Sequence, residues 1–154
     1  MKNTFLLLCA GLLLSIGANA QTKKKKTATA KVVVPEVVDA SFKTTYADVE
    51  SKKWTRTYTG NYVANFKNAN SQEQSSEYNA SGVLIKTKTS FDVAALPENV
   101  TTSVETKYAG SKISSVEKIE IPGIAPYYKV KLVTADTNKE KEILLSETGS
   151  MVRS

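Results

Sequence analysis

The chain has 154 residues, a length that accommodates one ordinary domain or two small ones. Histidine is absent, which excludes Ser-His-Asp and Cys-His nucleophilic sites and histidine acid–base catalysis. The formal net charge of +6 comes from six lysines near the N-terminus, and residues 34–154 carry equal numbers of basic and acidic side chains. Because a nucleic-acid-binding domain needs a basic face, this neutral part of the chain argues against a nucleic-acid partner.

Residues 1–20 have the pattern of a secretory signal peptide. Lys2 precedes an apolar run over residues 5–16, and Ala18-Asn19-Ala20 places small residues where signal peptidase requires them. We therefore predict cleavage between Ala20 and Gln21, a periplasmic or secreted location, and no stable membrane insertion after cleavage. The alternative is an N-terminal anchor helix, for which the run is short. Cys9 has only eight residues before it, too few for a lipoprotein signal, and its removal leaves a mature chain without disulfides.

Residues 21–33 are rich in lysine and show no pattern of burial. We interpret them as a disordered leader to the folded part of the chain. Weak attachment of this polybasic segment to an anionic membrane or glycan surface is the alternative.

Two helix starts resemble one another at a separation of 62 residues, Val34-Pro35-Glu36 and Leu96-Pro97-Glu98. Proline suits the first turn of a helix, and the glutamate that follows lies beside the positive end of the helix dipole. Apolar residues then recur at a spacing of four, which lines one face of a helix. These residues are Val34, Val38, Phe42 and Tyr46 in the first copy and Leu96, Val100, Val104 and Tyr108 in the second. Val37 is expected to widen the first stripe.

Strands are predicted after each helix from alternation and turn residues. The first set covers residues 53–58, 61–67, 72–78 and 83–89, and the second covers 112–121, 127–132, 141–146 and 150–153. Residues 122–126, with a proline at each end, are predicted to form a rigid loop. Residues 136–140 resemble a distorted calcium loop, but their composition favours a hairpin turn. Strands with one apolar and one polar face indicate an antiparallel sheet covered on one side only.

The similarity between the two halves continues to a later turn glycine. Gly82 and Gly149 are 67 residues apart, so the second half holds about five extra residues, which we place in 122–126 and 136–139. We predict an α+β fold of two tandem helix-plus-antiparallel-strand units with the helices on one face of a sheet. The first repeat is assigned to residues 34–92 and the second to residues 93–154. Units of about 60 residues are marginal alone, so the repeats are expected to form one composite domain.

The sequence contains no recognisable catalytic or cofactor-binding motif. The chain has no GxGxxG or P-loop pattern, its carboxylates are dispersed, and we predict no catalytic residues, no metal site and no cofactor. The remaining candidates are aromatic: Trp54, Tyr58 and Tyr127 are predicted to anchor a protein or peptide on an exposed sheet face. The alternative for Trp54 is that it fills the gap between helix and sheet.

These features together resemble a known family. The signal peptide, the Val34-Pro35 helix start, Trp54, the aromatic hairpin at residues 58–66, and the second start at Leu96-Pro97-Glu98 resemble the beta-lactamase-inhibitor-like, PepSY-like proteins secreted by Bacteroidetes. The resemblance implies helices on one face of an antiparallel sheet whose other face is open and concave, as in β-lactamase inhibitor proteins. The mature chain lacks the disulfides of those inhibitors, so inhibition of a β-lactamase is implied by fold alone.

Three functional hypotheses remain open at this point. The first is a secreted, non-enzymatic binding module that uses its sheet face to hold an unknown protein or peptide, a role that includes inhibition of a protease or another hydrolase. The second is a sensor of calcium or a small ligand in the cell envelope. The third is a hydrolase whose paired carboxylates come from distant parts of the chain.

Overall fold

A computed structural model describes residues 32–152 of the chain. The predicted signal peptide, its cleavage site at Ala20 and Gln21, and the lysine-rich leader up to Lys31 lie outside the described residues. Within residues 32–152, no helix has the length and apolar composition that a membrane crossing requires.

Two helices and seven strands make up the fold. Their order is α1 (Glu36–Thr45), β1 (Lys52–Arg56), β2 (Tyr62–Lys67), β3 (Glu73–Tyr78), β4 (Leu84–Phe91), α2 (Glu98–Lys107), β5 (Ser111–Ile121), β6 (Ile124–Thr134) and β7 (Glu140–Ser146). A short 3₁₀ turn, Val93–Ala95, precedes α2. All strands pair antiparallel with their neighbours in sequence, and the β4–β5 pair joins the two halves into one sheet. The predicted α+β fold with two helix-plus-strand repeats is therefore confirmed.

Each helix begins directly after its proline. The Pro35 carbonyl accepts hydrogen bonds from the backbone N–H groups of Val38 and Asp39, and the Pro97 carbonyl does the same in α2. The predicted stripes at a spacing of four pack against the core, and Val38 and Phe42 are fully enclosed. Val37 is 48% exposed, so the expectation that it widens the stripe was wrong. Each successive residue turns about 100° around a helix, which carries Val37 off the narrow face that meets the sheet.

The core consists of two clusters on the same side of the sheet, one beneath each helix. The first cluster contains Val38, Phe42, Tyr62, Ala64, Phe66 and Tyr78. The second contains Val100, Val104, Val116, Tyr128, Val130, Leu132, Ile143 and Leu145. Because both clusters lie on one face, the sheet is covered on that face and the described elements leave the other uncovered.

A turn glycine touches each helix at the same place. A Cβ atom on Gly82 would lie 2.7 Å from Ser41 Oγ and 2.9 Å from the Val37 carbonyl oxygen, and a Cβ atom on Gly149 would collide with the Asn99 carbonyl. Both glycines have φ near +80°, a conformation that other residues rarely adopt. The equivalence of these contacts in the two halves supports the internal duplication.

Two local predictions were wrong. Residues 122–126 are not a loop, because β6 already begins at Ile124 and only Pro122 and Gly123 form the turn of a tight hairpin. Pro126 is tolerated in the strand because it lies within an irregularity of the β5–β6 pairing and before β6 begins to pair with β7. Within residues 32–152, the strand predicted at 150–153 is reduced to a single bridge between Leu145 and Met151.

The extra residues of the second half lie where the sequence placed them. Ala64 and Val130 occupy equivalent positions 66 residues apart, so most of the insertion lies in the β5–β6 hairpin. Ser76 and Ile143 are 67 residues apart, which places the last extra residue in the β6–β7 connection. That connection is a turn, as predicted, with the Thr134 N–H donating to the Lys139 carbonyl.

Candidate binding face

The side of the sheet opposite the helices presents a continuous row of side chains, one from each strand. Residues directly opposite each other in antiparallel strands project to the same side of the sheet. Successive pairings connect Lys53, Asn65, Ser75, Lys88, Ile119, Tyr127 and Ser146. We call this surface, with the flanking residues that share its side of the sheet, the open face.

Charge alternates from strand to strand across the open face. Acidic residues on β3, β5 and β7 face basic residues on β4 and β6, and cross-strand ion pairs connect them. Lys86 Nζ lies 2.9 Å from Glu77 Oε2, and Lys129 Nζ lies 2.7 Å from Glu117 Oε2. Partly exposed pairs of this kind each contribute at most about 1 kcal/mol to stability. Their larger consequence is for recognition, because the alternating charges favour a partner whose own charges are arranged to complement them.

Two carboxylates of the open face, Glu77 and Glu117, are held in their charged form. Burial opposes ionisation of the Glu117 carboxyl, but the Lys129 ammonium that donates to it keeps its pKa below the usual range. Burial likewise opposes ionisation of Glu77, and the donors Asn61 and Lys86 keep its pKa low. At neutral pH, Lys86 and Lys129 are therefore already ion-paired with these carboxylates.

Two lysines beside these pairs have no carboxylate of their own. Lys88 and Lys131 are close enough to lower the pKa of Glu117 through space, yet neither forms an ion pair within residues 32–152. Because a lysine ammonium has three donors and attracts carboxylates, Lys88 and Lys131 are available to acidic groups of a partner.

A small apolar centre lies between the charged strands. Ile119 is only 4% exposed, although it belongs to neither core cluster and its register places it on the open face. Tyr127 lies beside it on β6 and is half-buried. A half-buried aromatic surrounded by polar groups is the usual composition of a binding hot spot.

Three grooves adjoin the open face or its edge. The first, of about 630 Å³, lies where the chain enters β1 and is lined by Asp48, Glu50, Lys53 and neighbouring residues. The second, of about 390 Å³, is lined by serines and by Glu117, Lys129 and Lys131. A third, of about 170 Å³, includes Ser75 and Lys88. Among the residues described, no group of three or more potential metal ligands converges in these grooves or elsewhere.

The structure separates the three aromatic residues that the sequence singled out. Trp54 lies on the helix-covered side, where its ring meets Phe42 edge-on at 5.6 Å between centroids. Tyr58 is fully exposed in the β1–β2 turn, because β1 ends at Arg56. Tyr127 alone lies on the open face. The three therefore do not form one surface, and Trp54 takes the position between helix and sheet that was its alternative. Whether Tyr58 and Tyr127 bind a partner stays a prediction.

Sequence reasoning missed Lys88, Lys131 and Ile119. Each lies in a strand whose alternation was recognised, but their proximity depends on the pairing of β4 with β5 and of β5 with β6. For Ile119 the sequence pattern was misleading, because an isoleucine in an alternating strand is normally assigned to the side of the sheet that forms the main core.

Tandem helix-on-sheet repeats, one covered sheet face and one open face define the class of protein. The family model described as "Putative beta-lactamase-inhibitor-like, PepSY-like" matches residues 16–86 and residues 60–153. The chain belongs to this family. No curated protein sequence matches it.

Solved structures share the fold at low sequence identity. A DUF2874 family protein from Bacteroides ovatus is 20% identical with a TM-score of 0.73, covering 79% of this chain and 86% of its own. A structure from Bacteroides eggerthii described as "putative periplasmic proteins" is 16% identical with a TM-score of 0.73, covering 79% and 88%. A BLIP-like protein from Bacteroides fragilis is 20% identical with a TM-score of 0.70, covering 81% and 87%. These similarities show the fold.

Proposed function

We propose that the protein is a secreted, non-enzymatic binding module that holds a protein or peptide against its open face. The observation that carries the proposal is the sheet face that neither helix covers, which all seven strands share and on which the half-buried Tyr127 lies among alternating charges. The secretory pattern of residues 1–20 and the periplasmic description of one structural relative support export of the chain.

The size of the open face supports a protein or peptide partner. Seven strands spaced about 4.8 Å apart span about 30 Å, and strands of about six residues are about 20 Å long. The resulting area is on the order of 600 Å², comparable with the roughly 800 Å² that each partner contributes to a standard interface. The grooves along it are too open to enclose a small molecule as typical ligand sites do.

The chemistry of the face specifies what the partner presents. An apolar side chain placed over Tyr127 gains a desolvated contact, and carboxylates placed over Lys88 and Lys131 gain charge-assisted hydrogen bonds. Where the partner is a protease or another hydrolase, occupation of its active-site rim by this face makes the module an inhibitor. That extension is supported by the BLIP-like description of one structural relative.

The test is capture of partners from the native envelope fraction by the exported, processed chain. A Lys88→Glu/Lys131→Glu variant reverses two charges on the open face and leaves the described ion pairs intact. A Lys107→Glu/Lys139→Glu variant makes the same change in net charge at the end of α2 and in the β6–β7 turn. We expect one dominant partner, captured at least tenfold less by the open-face variant and equally by the control.

Equal capture by both variants would contradict the proposal. Absence of a partner, together with a melting temperature that rises in calcium and falls in chelator, would instead support the envelope sensor, because a ligand that binds only the native state stabilises it.

A further inference from the structure

The first strand of the sheet, β1, has an edge that no other described strand covers. Where β1 leads into its turn, the Thr57 N–H donates to the Asn61 carbonyl on the β2 side. Because hydrogen bonding alternates along an antiparallel strand, the backbone N–H and C=O groups of Lys52, Trp54 and Arg56 point away from β2. Within residues 32–152, no hydrogen bond engages these backbone groups.

The last strand, β7, does not offer an equivalent edge. The Val152 N–H donates to the Leu144 carbonyl and the Ser146 N–H donates to the Ser150 carbonyl, so the segment after β7 pairs with part of its edge. Unpaired backbone groups along a strand are a template for pairing with another chain. Of the two outer strands in the described sheet, β1 is therefore the one whose whole edge is available.

The internal duplication shows how such an edge is covered. Trp54 pairs with Ala64, and Val116 pairs with Val130, which places Trp54 and Val116 at equivalent positions of the two repeats. In the second repeat this edge is occupied by β4, which runs antiparallel with Phe91 directly opposite Val116. The geometry that the repeats share therefore accepts an antiparallel strand at this place.

Without such a neighbour, the first core cluster is covered less completely than the second. Phe91 packs against the second cluster and meets Tyr128 edge-on at 5.9 Å between ring centroids, and Val116 is only 2% exposed. Trp54 packs against the first cluster but stays half-buried. An apolar side chain placed opposite Trp54 would remove more of its ring from water, which favours binding.

The charges of β1 favour an acidic strand. β1 contains three basic residues and no acidic one. Lys52 already pairs with Asp39, whereas Lys53 and Arg56 are exposed and form no ion pair within residues 32–152. Because like charges directly opposite each other destabilise a strand pair, this basic edge disfavours pairing with β1 of a second copy.

We propose that β1 binds an extended acidic segment of another protein as an eighth, antiparallel strand. From its N-terminus, the segment presents an acidic, a variable, an apolar and an acidic residue, which lie opposite Arg56, Thr55, Trp54 and Lys53 in turn. Main-chain hydrogen bonds supply affinity, and the alternating side chains supply specificity. The site is the edge of the sheet, and the inference does not depend on the open face.

Trp54 is the only tryptophan of the chain, so its fluorescence reports on this edge. The test is titration of the exported chain, its new N-terminus verified by mass spectrometry, with the end-blocked peptide Thr-Thr-Glu-Ser-Phe-Glu-Thr-Thr. We expect a saturable shift of tryptophan emission to shorter wavelength, because the phenylalanine covers the half-buried indole. The same peptide N-methylated at phenylalanine keeps every charge but cannot donate to the Trp54 carbonyl, so it should bind about tenfold more weakly.

Charge reversal on β1 provides a matched pair of protein variants. Lys53→Glu/Arg56→Glu removes both cations opposite the peptide's glutamates and should weaken binding about tenfold or more. Lys107→Glu/Lys139→Glu makes the same change in net charge away from β1 and should bind as wild type does. At physiological ionic strength, which screens distant charges, the open-face variant described above should also bind as wild type does, so the two proposals can fail separately.

The proposal would be overturned by any of three results: no emission shift with the peptide, equal binding of the N-methylated peptide, or equal binding by the β1 variant. An emission shift that appears without peptide as protein concentration rises, together with a dimer in analytical ultracentrifugation, would show that a second copy occupies the edge and would also overturn it. Should the double variant fail to fold, Lys53→Glu alone, at an exposed position, is expected to weaken binding several-fold, and an unchanged affinity would count against the proposal.

Discussion

The two repeats build the same backbone around different cores. The first cluster is dominated by the aromatic residues Phe42, Tyr62, Phe66 and Tyr78, with Trp54 and Tyr46 packed against it. The second is mainly branched aliphatic, with Val104 in place of Phe42 and Val116 in place of Trp54. What the repeats share lies at the edges of their elements, in Pro35 and Pro97 and in Gly82 and Gly149. Cores tolerate such exchange when total volume and patterning are kept.

The repeats also differ in the polar contacts of the tyrosine that follows each helix. In the first repeat, the Tyr46 hydroxyl accepts hydrogen bonds from Gln74 Nε2 at 3.1 Å and from the buried Ser76 Oγ at 3.0 Å. In the second, Ile143 and Lys141 occupy the positions of Ser76 and Gln74, and the Lys141 ammonium lies over the Tyr108 ring. The first core thus contains a hydroxyl network, whereas an aliphatic side chain takes the place of the buried Ser76 in the second.

The largest expected effect is from truncation of the helix residue at the centre of each cluster. Phe42→Ala should lower the free energy of unfolding by about 3–5 kcal/mol, because it leaves a large cavity among aromatic rings. Val104→Ala should cost about 2 kcal/mol, since fewer buried atoms are removed. Urea denaturation of both variants measures the difference. Equal losses would mean that the two cores contribute alike despite their composition.

A smaller effect tests what the repeats share. Gly82→Ala should destabilise the protein by about 3 kcal/mol, because a left-handed φ costs 1–2 kcal/mol and the new methyl group meets α1. Gly110→Ala has a similar φ and open space around it, so it should cost about 1 kcal/mol. Thermal melting of the two variants isolates the contribution of the helix contact. A loss at Gly110 as large as that at Gly82 would refute it.

Removal of the tyrosine hydroxyl should lower the free energy of unfolding in the first repeat only. Tyr46→Phe leaves Gln74 and Ser76 without their common acceptor and should cost about 1–2 kcal/mol. Tyr108→Phe loses only a long contact to the Met151 sulfur and should stay within about 0.5 kcal/mol of wild type. Chemical denaturation of the matched pair measures both. Similar losses at both positions would show that the network does not distinguish the repeats.

The smallest effect concerns Tyr78, whose counterpart in the second repeat is Leu145. Burial raises the pKa of Tyr78 to about 12 from an ordinary value of 10.0, and its hydroxyl finds no hydrogen-bond partner within the described residues. Above pH 10 the unfolded chain loses this proton before the native state does, so stability falls as pH rises toward about 12. Tyr78→Phe should stabilise the protein by about 1 kcal/mol at neutral pH and lessen that alkaline fall. Melting temperatures measured from pH 7 to alkaline conditions check both, and an unchanged alkaline slope would contradict the assignment.

Sequence reasoning succeeded where a residue restricts the conformation of the few residues next to it in the chain. The helix starts at Pro35 and Pro97, the buried residues of α1 and the extra residues of the second repeat all follow from local constraints. It failed at Pro126, which was taken to end a loop, because the irregularity of β5–β6 pairing that accommodates a proline involves a second strand. It also grouped Trp54 with Tyr58 and Tyr127, since alternation along a strand does not reveal which side the helices will cover.

The sequence by itself determined the class of fold, the duplication and the boundaries of most elements, because proline, turn glycine and apolar spacing restrict the chain over a few residues. Tertiary structure alone decided which side chains share a surface. Ile119 and Lys88 become neighbours only through the register of β4 on β5, and Tyr127 joins them only through the register of β6 on β5. Register depends on contacts between distant segments, so the surfaces from which function is proposed are products of the whole fold.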